Sequence, residues 1–308
     1  MTYKMLVLNI DGTLLQDNGR IHKQTREAIE FALQKGVHIV LATARNFPAA
    51  KRTAKSLKIK DYIIAHQGAF IAKNMNKPIY VQRIHEQIAS EITAFLESFS
   101  CQIRLVHEKF LIGNKIKLPN NMMAKVVFQS ANRFVYQERY VDSISEKLVD
   151  QPVSPPHFEI VFFDEKEMAD ATTAINKMYS EVVCIPTEPL KVSIVPAGVS
   201  KLEAVKFVCS QYGISKHEVV SIGAGVDDLP LMRWSGLGVA MGNALKEVHD
   251  AADWITRTNN DNGVAYMVKE HFRKQYRLGF LNNLKKSDLP EDGLDKPFLI
   301  SSEKNKFE

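Results

Sequence analysis

The sequence predicts a doubly wound α/β fold that carries an inserted α+β unit. Within residues 1–83, apolar runs of strand length alternate with stretches whose apolar residues recur at helical spacing. Strands that alternate with helices build a parallel sheet covered by helices on both faces. The alternation resumes over 190–271, whereas 84–189 show a different order of elements. We therefore expect a discontinuous core domain (1–83 and 190–271), an inserted domain (84–189) and a C-terminal segment (272–308).

The first half of the core begins with the strand "KMLVLN". A helix follows in "QTREAIEFALQKG", where apolar residues recur at helical spacing and Gly36 is a typical C-terminal stop. The segment "VHIVLAT" predicts a second strand, residues 48–58 predict a second helix, and "DYIIAHQG" predicts a third strand. The stretch "GAFIAKNMNKPIYVQ" predicts a hairpin that turns at residues 76–78.

The inserted unit mixes helices and strands without a regular alternation. A helix over 86–98 precedes the strand patterns "QIRLV" and "KFLIG", and mixed segments lead to "HFEIVFFD". A second helix over 166–179 and the strand "EVVCI" complete the unit. This order is typical of an α+β domain.

The second half of the core begins with the predicted strand "KVSIVP". The helix "SKLEAVKFVCSQYG" follows, with a capping box formed by Ser200 and Glu203 and a stop at Gly213. The strand "EVVSIG" leads into a short helix that starts at Asp227. The segments "GLGVAMGNA" and "DWIT" are expected to complete the sheet.

The composition is that of a globular protein, with 45% hydrophobic residues and a formal net charge of +5. No stretch approaches the ~20 apolar residues that a membrane-spanning helix needs, and the N-terminus has no secretory pattern. The three cysteines, Cys101, Cys184 and Cys209, are widely spaced, which suits reduced thiols better than disulfides or a zinc site. We therefore expect a cytoplasmic protein with no membrane partner.

Small and polar residues cluster at the ends of several predicted strands and at the start of one helix. The clusters are Asn9 to Thr13, Thr43 to Arg45, Lys201, and Gly223 to Asp228. In an open parallel sheet the carboxyl ends of the strands converge on one crevice. We therefore expect these four clusters to form a single site.

Each cluster offers a group that suits a phosphate or its metal ion. Gly12 lets backbone N–H groups approach an anion closely. The hydroxyl of Thr43 can donate to a phosphate oxygen, and Lys201 supplies a positive charge. Asp227 and Asp228 offer hard oxygen ligands for Mg²⁺, although two acids at a helix N-terminus are also favoured by the helix dipole.

Together these stretches resemble the Cof-type branch of the haloacid dehalogenase superfamily. The first motif of that family is matched by "IDGTLL", the second by "ATAR", the third by "GVSK" and the fourth by "GAGVDDLPLM". The stretches "AMGNA" and "NNDNGVA" match further parts of the pattern, so that the resemblance covers residues 5 to about 270. It implies phosphoryl transfer, with an inserted cap that closes over the substrate and selects it.

The resemblance also implies a role for each site residue. The residue at position 9 attacks phosphorus, and Asp11 protonates the leaving group and then activates water. Thr43 and Lys201 hold the phosphate. Magnesium is expected between the first and fourth motifs, at Asn9, Asp11, Asp227 and Asp228. The remaining expected phosphate or substrate contacts are Gly12, Thr13, Ala44, Arg45 and Asn243.

Four positions depart from the family pattern. Asn9 stands where the nucleophilic aspartate is expected, and an amide oxygen is a far poorer nucleophile than a carboxylate. Ala224 replaces a carboxylate metal ligand, Asp227 replaces the usual asparagine, and Ala44 replaces a glycine. The loss of negative charge predicts weaker Mg²⁺ binding, although Asn9 and Asp227 can still offer oxygens. It also removes a repulsion of ~1–4 kcal/mol toward a bound phosphate.

The sequence therefore predicts a Mg²⁺-dependent phosphohydrolase of the haloacid dehalogenase type, with weakened catalysis, that acts on a small phosphorylated metabolite. The alternative is a non-catalytic protein that binds such a metabolite and has a regulatory role. A third possibility is an engineered Asp-to-Asn trap at position 9. The further changes at 44, 224 and 227 favour natural divergence.

The C-terminal segment has a basic amphipathic pattern. Phe272, Tyr276, Phe280 and Leu284 recur every four residues, with Lys and Arg between them. Packing against the protein's own sheet is the preferred interpretation, and an acidic partner is the weaker one. No recognisable nucleic-acid module is present, and the sequence leaves the oligomeric state open.

Overall fold

The structure is a computed structural model that describes residues 2–73, 77–116, 137–273 and 275. The strands are β1 (Met5–Leu8), β2 (His38–Ala42), β3 (Tyr62–Ala65), β4 (Phe70–Lys73), β5 (Lys77–Val81), β6 (Cys101–Val106), β7 (Phe110–Asn114), β8 (Gln137–Val141), β9 (His157–Phe162), β10 (Val182–Glu188), β11 (Lys191–Pro196), β12 (Val219–Gly223), β13 (Leu237–Ala240) and β14 (Trp254–Ile255). The helices are α1 (Lys23–Gln34), α2 (Phe47–Ser56), α3 (Glu86–Leu96), α4 (Ile144–Asp150), α5 (Glu165–Met178), α6 (Lys201–Tyr212), α7 (Leu229–Trp234), α8 (Lys246–Ala251) and α9 (Gly263–Phe272).

The strands form two sheets. The larger has the order β14-β13-β12-β1-β2-β3-β4-β5, and it is parallel from β14 to β3. The hairpin β4–β5 continues it antiparallel, and residue 76 of the predicted turn lies outside the described residues. The smaller sheet has the order β10-β11-β9-β6-β7-β8 and is antiparallel except for β7 and β8. The predicted α/β fold with an α+β insertion is confirmed.

The parallel sheet is covered by helices on both faces. Alternate residues of its central strands pack to opposite sides, because successive side chains of a strand point in opposite directions. Leu6 and Leu8 belong to the cluster formed with α1, α2 and α9, whereas Met5 and Val7 pack with α6 and α7. This arrangement is the double winding that the alternating pattern predicts.

The smaller sheet has one covered face and one face toward the parallel sheet. Its covered face packs against α3, α4 and α5, through residues such as Ile103, Phe158 and Ile194. The alternate positions Arg104, Glu159 and Ser193 line a cleft between the two sheets. These three residues are cross-strand partners in neighbouring strands, so they form a polar row on the open face.

One predicted boundary is wrong. The strand "KVSIVP" was expected in the core from residue 190, but as β11 it pairs with β9 and β10 in the smaller sheet. A short apolar run does not reveal which sheet it will join. Only Pro189 and Leu190 separate β10 from β11, so a hairpin with the preceding strand is the nearest available pairing. The inserted unit therefore extends to Pro196.

The end of α9 is attached to the core near the N-terminus. Phe272 is fully buried in the main core, and its ring lies 6.1 Å from that of Tyr3. Gln275 exchanges two hydrogen bonds with the backbone of Tyr3. The rest of the predicted amphipathic pattern, Tyr276 to Leu284, lies outside the described residues. Within the described part of the chain, no helix combines the length and apolar character needed to span a membrane.

Candidate functional site

The four predicted clusters meet at one edge of the parallel sheet. The turn after β1, the turn after β2, the start of α6 and the loop after β12 all border the cleft between the sheets. The cleft has a volume of about 820 Å³. Its core wall includes Asn9, Asp11, Gly12, Ala44, Arg45, Lys201, Ala224, Gly225, Asp227 and Asn243. The prediction that strand ends would form a single site therefore agrees with the geometry.

Asn9 lies at the entrance of the turn after β1 and is buried. Its Oδ1 accepts a hydrogen bond from the backbone N–H of Ile10 at 2.7 Å. Its Nδ2 donates to Oδ2 of Asp228 at 2.9 Å. The amide is therefore held on both sides, with its nitrogen toward a carboxylate. A carboxylate at this position would face Asp228 with like charge.

Gly12 follows in the same turn with φ at +63°. This left-handed conformation is rarely adopted by residues that carry a Cβ. A Cβ here would also lie 3.3 Å from Cβ of Ala224 and 3.4 Å from Nδ2 of Asn243. A Cβ at this position would therefore add backbone strain and two close contacts.

Lys201 is the centre of a buried charged cluster that it forms with Asp227 and Asp228, called here the core cluster. Its Nζ lies 2.7 Å from Oδ2 of Asp227 and 2.7 Å from Oδ1 of Asp228. All three side chains are at most 6% exposed. Burial alone would lower the pKa of Lys201, but the two carboxylates raise it above its ordinary value. The ammonium therefore stays charged and is shared between two anions.

The other oxygen of Asp228 is also fully engaged. Oδ2 accepts from Nδ2 of Asn9 and from the backbone N–H groups of Ala224 and Gly225, at 2.9, 3.1 and 3.2 Å. Burial raises the pKa of Asp228, and the charge of Asp227 adds to this effect against the opposing influence of Lys201. Two carboxylates around one ammonium leave a net charge of about −1, which makes it easier to protonate one of them.

Asp11, the expected general acid and base, is paired with Arg45. Arg45 donates through Nε and Nη2 to the two carboxylate oxygens of Asp11, at 2.7 and 2.6 Å. This two-pronged geometry is the strongest form of arginine–carboxylate contact. The side chain of Asp11 is nonetheless 49% exposed, so it faces the open cleft. In this arrangement both carboxylate oxygens accept hydrogen bonds from Arg45.

Two predicted phosphate contacts lie behind the wall of the cleft. Thr43 is fully buried, and its hydroxyl oxygen accepts from the backbone N–H of Arg45 at 3.2 Å. Thr13 is 2% exposed, and its hydroxyl has no hydrogen-bond partner among the described residues. The hydroxyl of Thr43 therefore supports the turn after β2, and the predicted contact of both threonines with phosphate stays a prediction.

Asn243 joins two loops beside the site. Its Nδ2 donates to the carbonyl of Gly12 at 2.9 Å, and its Oδ1 accepts from the backbone N–H of Asn259 at 2.9 Å. Asn259 in turn donates to the carbonyl of Leu15 at 2.9 Å and to Oδ1 of Asp17 at 3.0 Å. These contacts hold the turn after β1 in place. The stretch "NNDNGVA" contains Asn259, but its spacing alone did not indicate this contact.

Gln67 is a site residue that the sequence analysis missed. Its Nε2 donates to Oδ2 of Asp227 at 2.9 Å. Gln67 and the preceding His66 both have positive φ, at +58° and +51°. Such a conformation costs ~1–2 kcal/mol for each non-glycine residue. The tight turn after β3 aims both side chains at charged or polar partners. The sequence analysis had placed both residues within the predicted strand "DYIIAHQG".

The opposite wall of the cleft carries charges from the inserted unit. Nη1 of Arg104 donates to Oε2 of Glu159 at 2.9 Å. Burial alone would raise the pKa of Glu159, but His157, Arg104 and Lys191 hold it well below its ordinary value. Burial alone would lower the pKa of Lys191, but Glu159, Glu188 and Asp11 raise it. The wall is therefore ionised and is coupled electrostatically to Asp11 across the cleft.

Two buried histidines connect the core to the inserted unit. The backbone N–H of Phe47 donates to Nε2 of His66 at 3.1 Å, so the proton of His66 is on Nδ1. Nδ1 of His66 lies 3.0 Å from Nδ1 of His157, which must accept and therefore carries its proton on Nε2. That nitrogen lies 3.7 Å from Oε1 of Glu159. Burial, reinforced by His157, lowers the pKa of His66 well below its ordinary value.

The residues present fit a divalent cation poorly. Within the described residues, no group of three or more Asp, Glu, His or Cys side chains is arranged to hold a metal ion. Ala224 has no oxygen to offer, and the oxygen of Asn9 accepts from Ile10. Asp227 and Asp228 are already paired with a buried ammonium. Magnesium prefers several oxygen ligands in near-octahedral geometry, which this donor set does not provide.

Comparisons with known proteins agree with the fold. A family model described as haloacid dehalogenase-like hydrolase matches residues 6–268. The stress response protein YhaX of Bacillus subtilis is 44% identical over 92% of this chain and 98% of its own length. The putative phosphatase YxeH of the same organism is 30% identical over 87% of this chain and 98% of its own.

A solved structure shows the same architecture. The haloacid dehalogenase subclass IIB sugar phosphatase BT4131 superposes with a TM-score of 0.72 and 25% identity, and covers 88% of this chain and 99% of its own. The family match spans most of the described core and the inserted unit. The chain therefore belongs to the haloacid dehalogenase-like hydrolase family.

Proposed function

We propose that the cleft binds a small phosphorylated metabolite and that hydrolysis of the phosphate ester is strongly weakened. The observation that carries this proposal is the amide of Asn9, which stands at the nucleophile position and is held by Ile10 and Asp228. Neutral amide oxygens attack phosphorus poorly. Loss of a nucleophile from a catalytic group commonly lowers turnover by roughly 10⁴-fold or more.

The groups that would hold a phosphate are retained. Gly12 keeps the backbone conformation that exposes N–H groups at the turn. Arg45 and Lys201 both line the cleft, Arg45 paired with Asp11 and Lys201 shared by two carboxylates. Asn9 stands where a carboxylate would repel the ligand. Binding can thus persist where turnover falls.

Sugar phosphates are the proposed ligand class to examine first. This choice rests on the name of the relative BT4131, a sugar phosphatase, and on the phosphatase assignment of YxeH. The ionised wall formed by Arg104, Glu159 and Lys191 offers both donors and acceptors to a hydroxyl-rich leaving group. Specificity is therefore proposed to reside in the inserted unit.

We propose dependence on Mg²⁺ only for a variant that carries carboxylates at positions 9 and 224. Carboxylates at 9 and 224 would add two oxygen ligands beside Asp227 and Asp228, which would make the donor set suitable for a divalent cation. In the native chain the weak fit of the donors predicts weak metal binding. No chemical step of the native protein is assigned to a metal.

A cytoplasmic setting is proposed from the thiols. All three cysteines are free. Burial raises the pKa of Cys101 and Cys184 to about 12, so these thiols are poor nucleophiles and are unsuited to disulfide exchange. Reduced, unreactive cysteines are typical of a reducing compartment.

The test compares the native protein with the double variant Asn9→Asp, Ala224→Asp. Both are assayed with Mg²⁺ on p-nitrophenyl phosphate and a panel of sugar phosphates and nucleotides. We expect the variant to hydrolyse at least one compound ~10³-fold or more faster than the native chain, because it regains an anionic nucleophile. Equal rates for the two proteins would show that position 9 does not limit turnover.

The same samples distinguish the second candidate function, that of a non-catalytic binding protein, from weakened hydrolysis. A ligand that binds the folded state raises the apparent stability by RT ln(1 + [L]/Kd). A phosphorylated compound that stabilises the native protein without being consumed would favour the binding role. The internal pairing of Asp11 with Arg45 is the observation that supports it.

A further inference from the structure

The core cluster has few free oxygen ligands for a divalent cation, because most of its carboxylate oxygens accept from nitrogen donors. Oδ1 of Asp228 and Oδ2 of Asp227 both contact Nζ of Lys201 at 2.7 Å. Oδ2 of Asp228 accepts three N–H donors, and Oδ2 of Asp227 also accepts from Gln67. Three of the four carboxylate oxygens are thus committed in the described structure.

The ammonium of Lys201 also opposes a second cation at this place. It is 1% exposed, so its charge is poorly screened by water. A divalent cation that shared Asp227 and Asp228 with it would stand within a few ångströms of a like charge, where repulsion in a protein interior amounts to several kcal/mol per unit charge. The missing oxygen at Ala224 removes the ligand that could offset this repulsion.

We propose that Lys201 is the resident cation of this site, in place of a divalent metal ion. Its ammonium is shared by Asp227 and Asp228 and offsets one of their two negative charges, and the cleft takes a phosphomonoester with no divalent cation bound. Ala224 is the residue that keeps the cation out, because it withholds an oxygen ligand. This inference deepens the proposed function and rests on it for the identity of the ligand, while its claim about the metal stands on the cluster alone.

The metal is tested directly with Mn²⁺, whose free concentration is followed by electron paramagnetic resonance. The samples are the native chain, the double variant Asn9→Asp, Ala224→Asp, and Leu245→Asp as the control. Leu245 lines the same cleft and is 45% exposed, so the control adds a carboxylate to the cleft without adding a ligand beside Asp228.

We expect the native chain and the control to bind Mn²⁺ with a Kd at least ~100-fold weaker than that of the double variant. A native chain that binds one Mn²⁺ with a Kd within threefold of the double variant would overturn the inference. Control binding as tight as that of the double variant would do the same, because it would show that negative charge alone, and not an oxygen at 224, decides metal binding.

The ligand is tested by calorimetry with inorganic phosphate, in EDTA and in excess Mg²⁺. We expect the native Kd to agree within about twofold between the two conditions. Binding that requires Mg²⁺ would overturn this inference and leave the proposed phosphate site standing. No binding in either condition would refute the proposed function, and the Mn²⁺ measurement would then decide the inference about the metal by itself.

Discussion

Two charged clusters face the same cleft, and they differ in burial and in construction. In the core, Lys201 and its two carboxylates are 1–6% exposed, and Asp228 also accepts from two backbone N–H groups. On the inserted unit, Arg104 and Glu159 are 15–16% exposed and come from paired positions on neighbouring strands. The first cluster joins the start of α6 to the loop after β12, and the second occupies the open face of a sheet.

This difference indicates which charged residues can be substituted without a large loss of stability. A fully buried cluster depends on every member, because the loss of one leaves an uncompensated charge without water. A partly exposed pair retains some hydration and can change with less effect on folding. We therefore expect substitutions in the core cluster to destabilise the protein more than substitutions in the pair Arg104 and Glu159.

The largest expected effect tests the core cluster. Lys201→Met should lower the free energy of unfolding by about 3–5 kcal/mol, because it leaves Asp227 and Asp228 buried without a counter-ion. The measurement is urea denaturation at pH 7. Lys206→Met is the matched control on the same helix, since Lys206 contacts Glu203 at 2.7 Å but is 41% exposed, and it should cost less than ~1 kcal/mol. Similar losses for both would contradict the comparison.

The next effect concerns the inserted unit. Arg104→Met should cost about 2 kcal/mol, because it removes a charged hydrogen bond to Glu159 that retains partial exposure. The same denaturation experiment measures it, with Lys58→Met as the control for an exposed pair. A loss as large as that of Lys201→Met would mean that the two clusters are equally intolerant, and the proposed location of specificity would lose its support.

The junction between the two units should depend on pH. The folded-state pKa of His66 is lowered, so as the pH falls below about 6.5 the unfolded chain binds a proton that the folded chain does not. The contribution of His66 to stability is therefore present at pH values above this one and is lost below it, with a slope that approaches about 1.4 kcal/mol per pH unit. Denaturation midpoints and slopes between pH 7.5 and 5.5 measure the effect.

The histidine variants isolate this contribution. His66→Asn introduces a residue that tolerates positive φ. It should lower the number of protons taken up on unfolding by about one, and the slope of stability against pH should fall accordingly. His217→Asn changes an exposed histidine and should leave the slope as it is in the native chain. An unchanged slope in His66→Asn would show that this residue is not responsible.

The smallest effect separates backbone strain from close packing at the turn after β1. Gly12→Ala and Gly19→Ala both place a Cβ at positive φ, at +63° and +74°, and each should cost ~1 kcal/mol from strain. Gly12 has neighbours at 3.3 and 3.4 Å, whereas nothing lies within 4 Å of a Cβ at Gly19. Gly12→Ala should therefore destabilise more in thermal denaturation. A larger loss for Gly19→Ala would contradict the packing argument.

Much of the fold could be predicted because its signals are local. The helix α6 illustrates this, since the side chain of Ser200 accepts from the N–H of Glu203 and Gly213 ends the helix with φ at +63°. The strand ends with Asn9 and Asp228 were also expected to meet, because parallel strands bring their carboxyl ends to one edge. Strand β11 was misassigned because a strand pattern as short as "KVSIVP" is compatible with either sheet.

The parts of the site that could not be predicted depend on long-range contacts. Gln67 reaches Asp227 across 160 positions of the chain, and His66 reaches His157 across 91. Neither pair has a periodic signal. Arg104 and Glu159 alternate with apolar residues as any half-exposed strand residue does, so their place in the cleft required the pairing of β6 with β9.

The sequence by itself determined the alternating core, the caps and turns, and the chemical identity of positions 9 and 224, because these follow from local pattern and from residue type. The tertiary structure decided which charged and polar groups pair with one another. It placed the ammonium of Lys201 between two carboxylates, turned the amide of Asn9 toward Asp228, and set Arg45 on Asp11. Electrostatic energies depend on distance and burial, and only the folded chain fixes these two quantities.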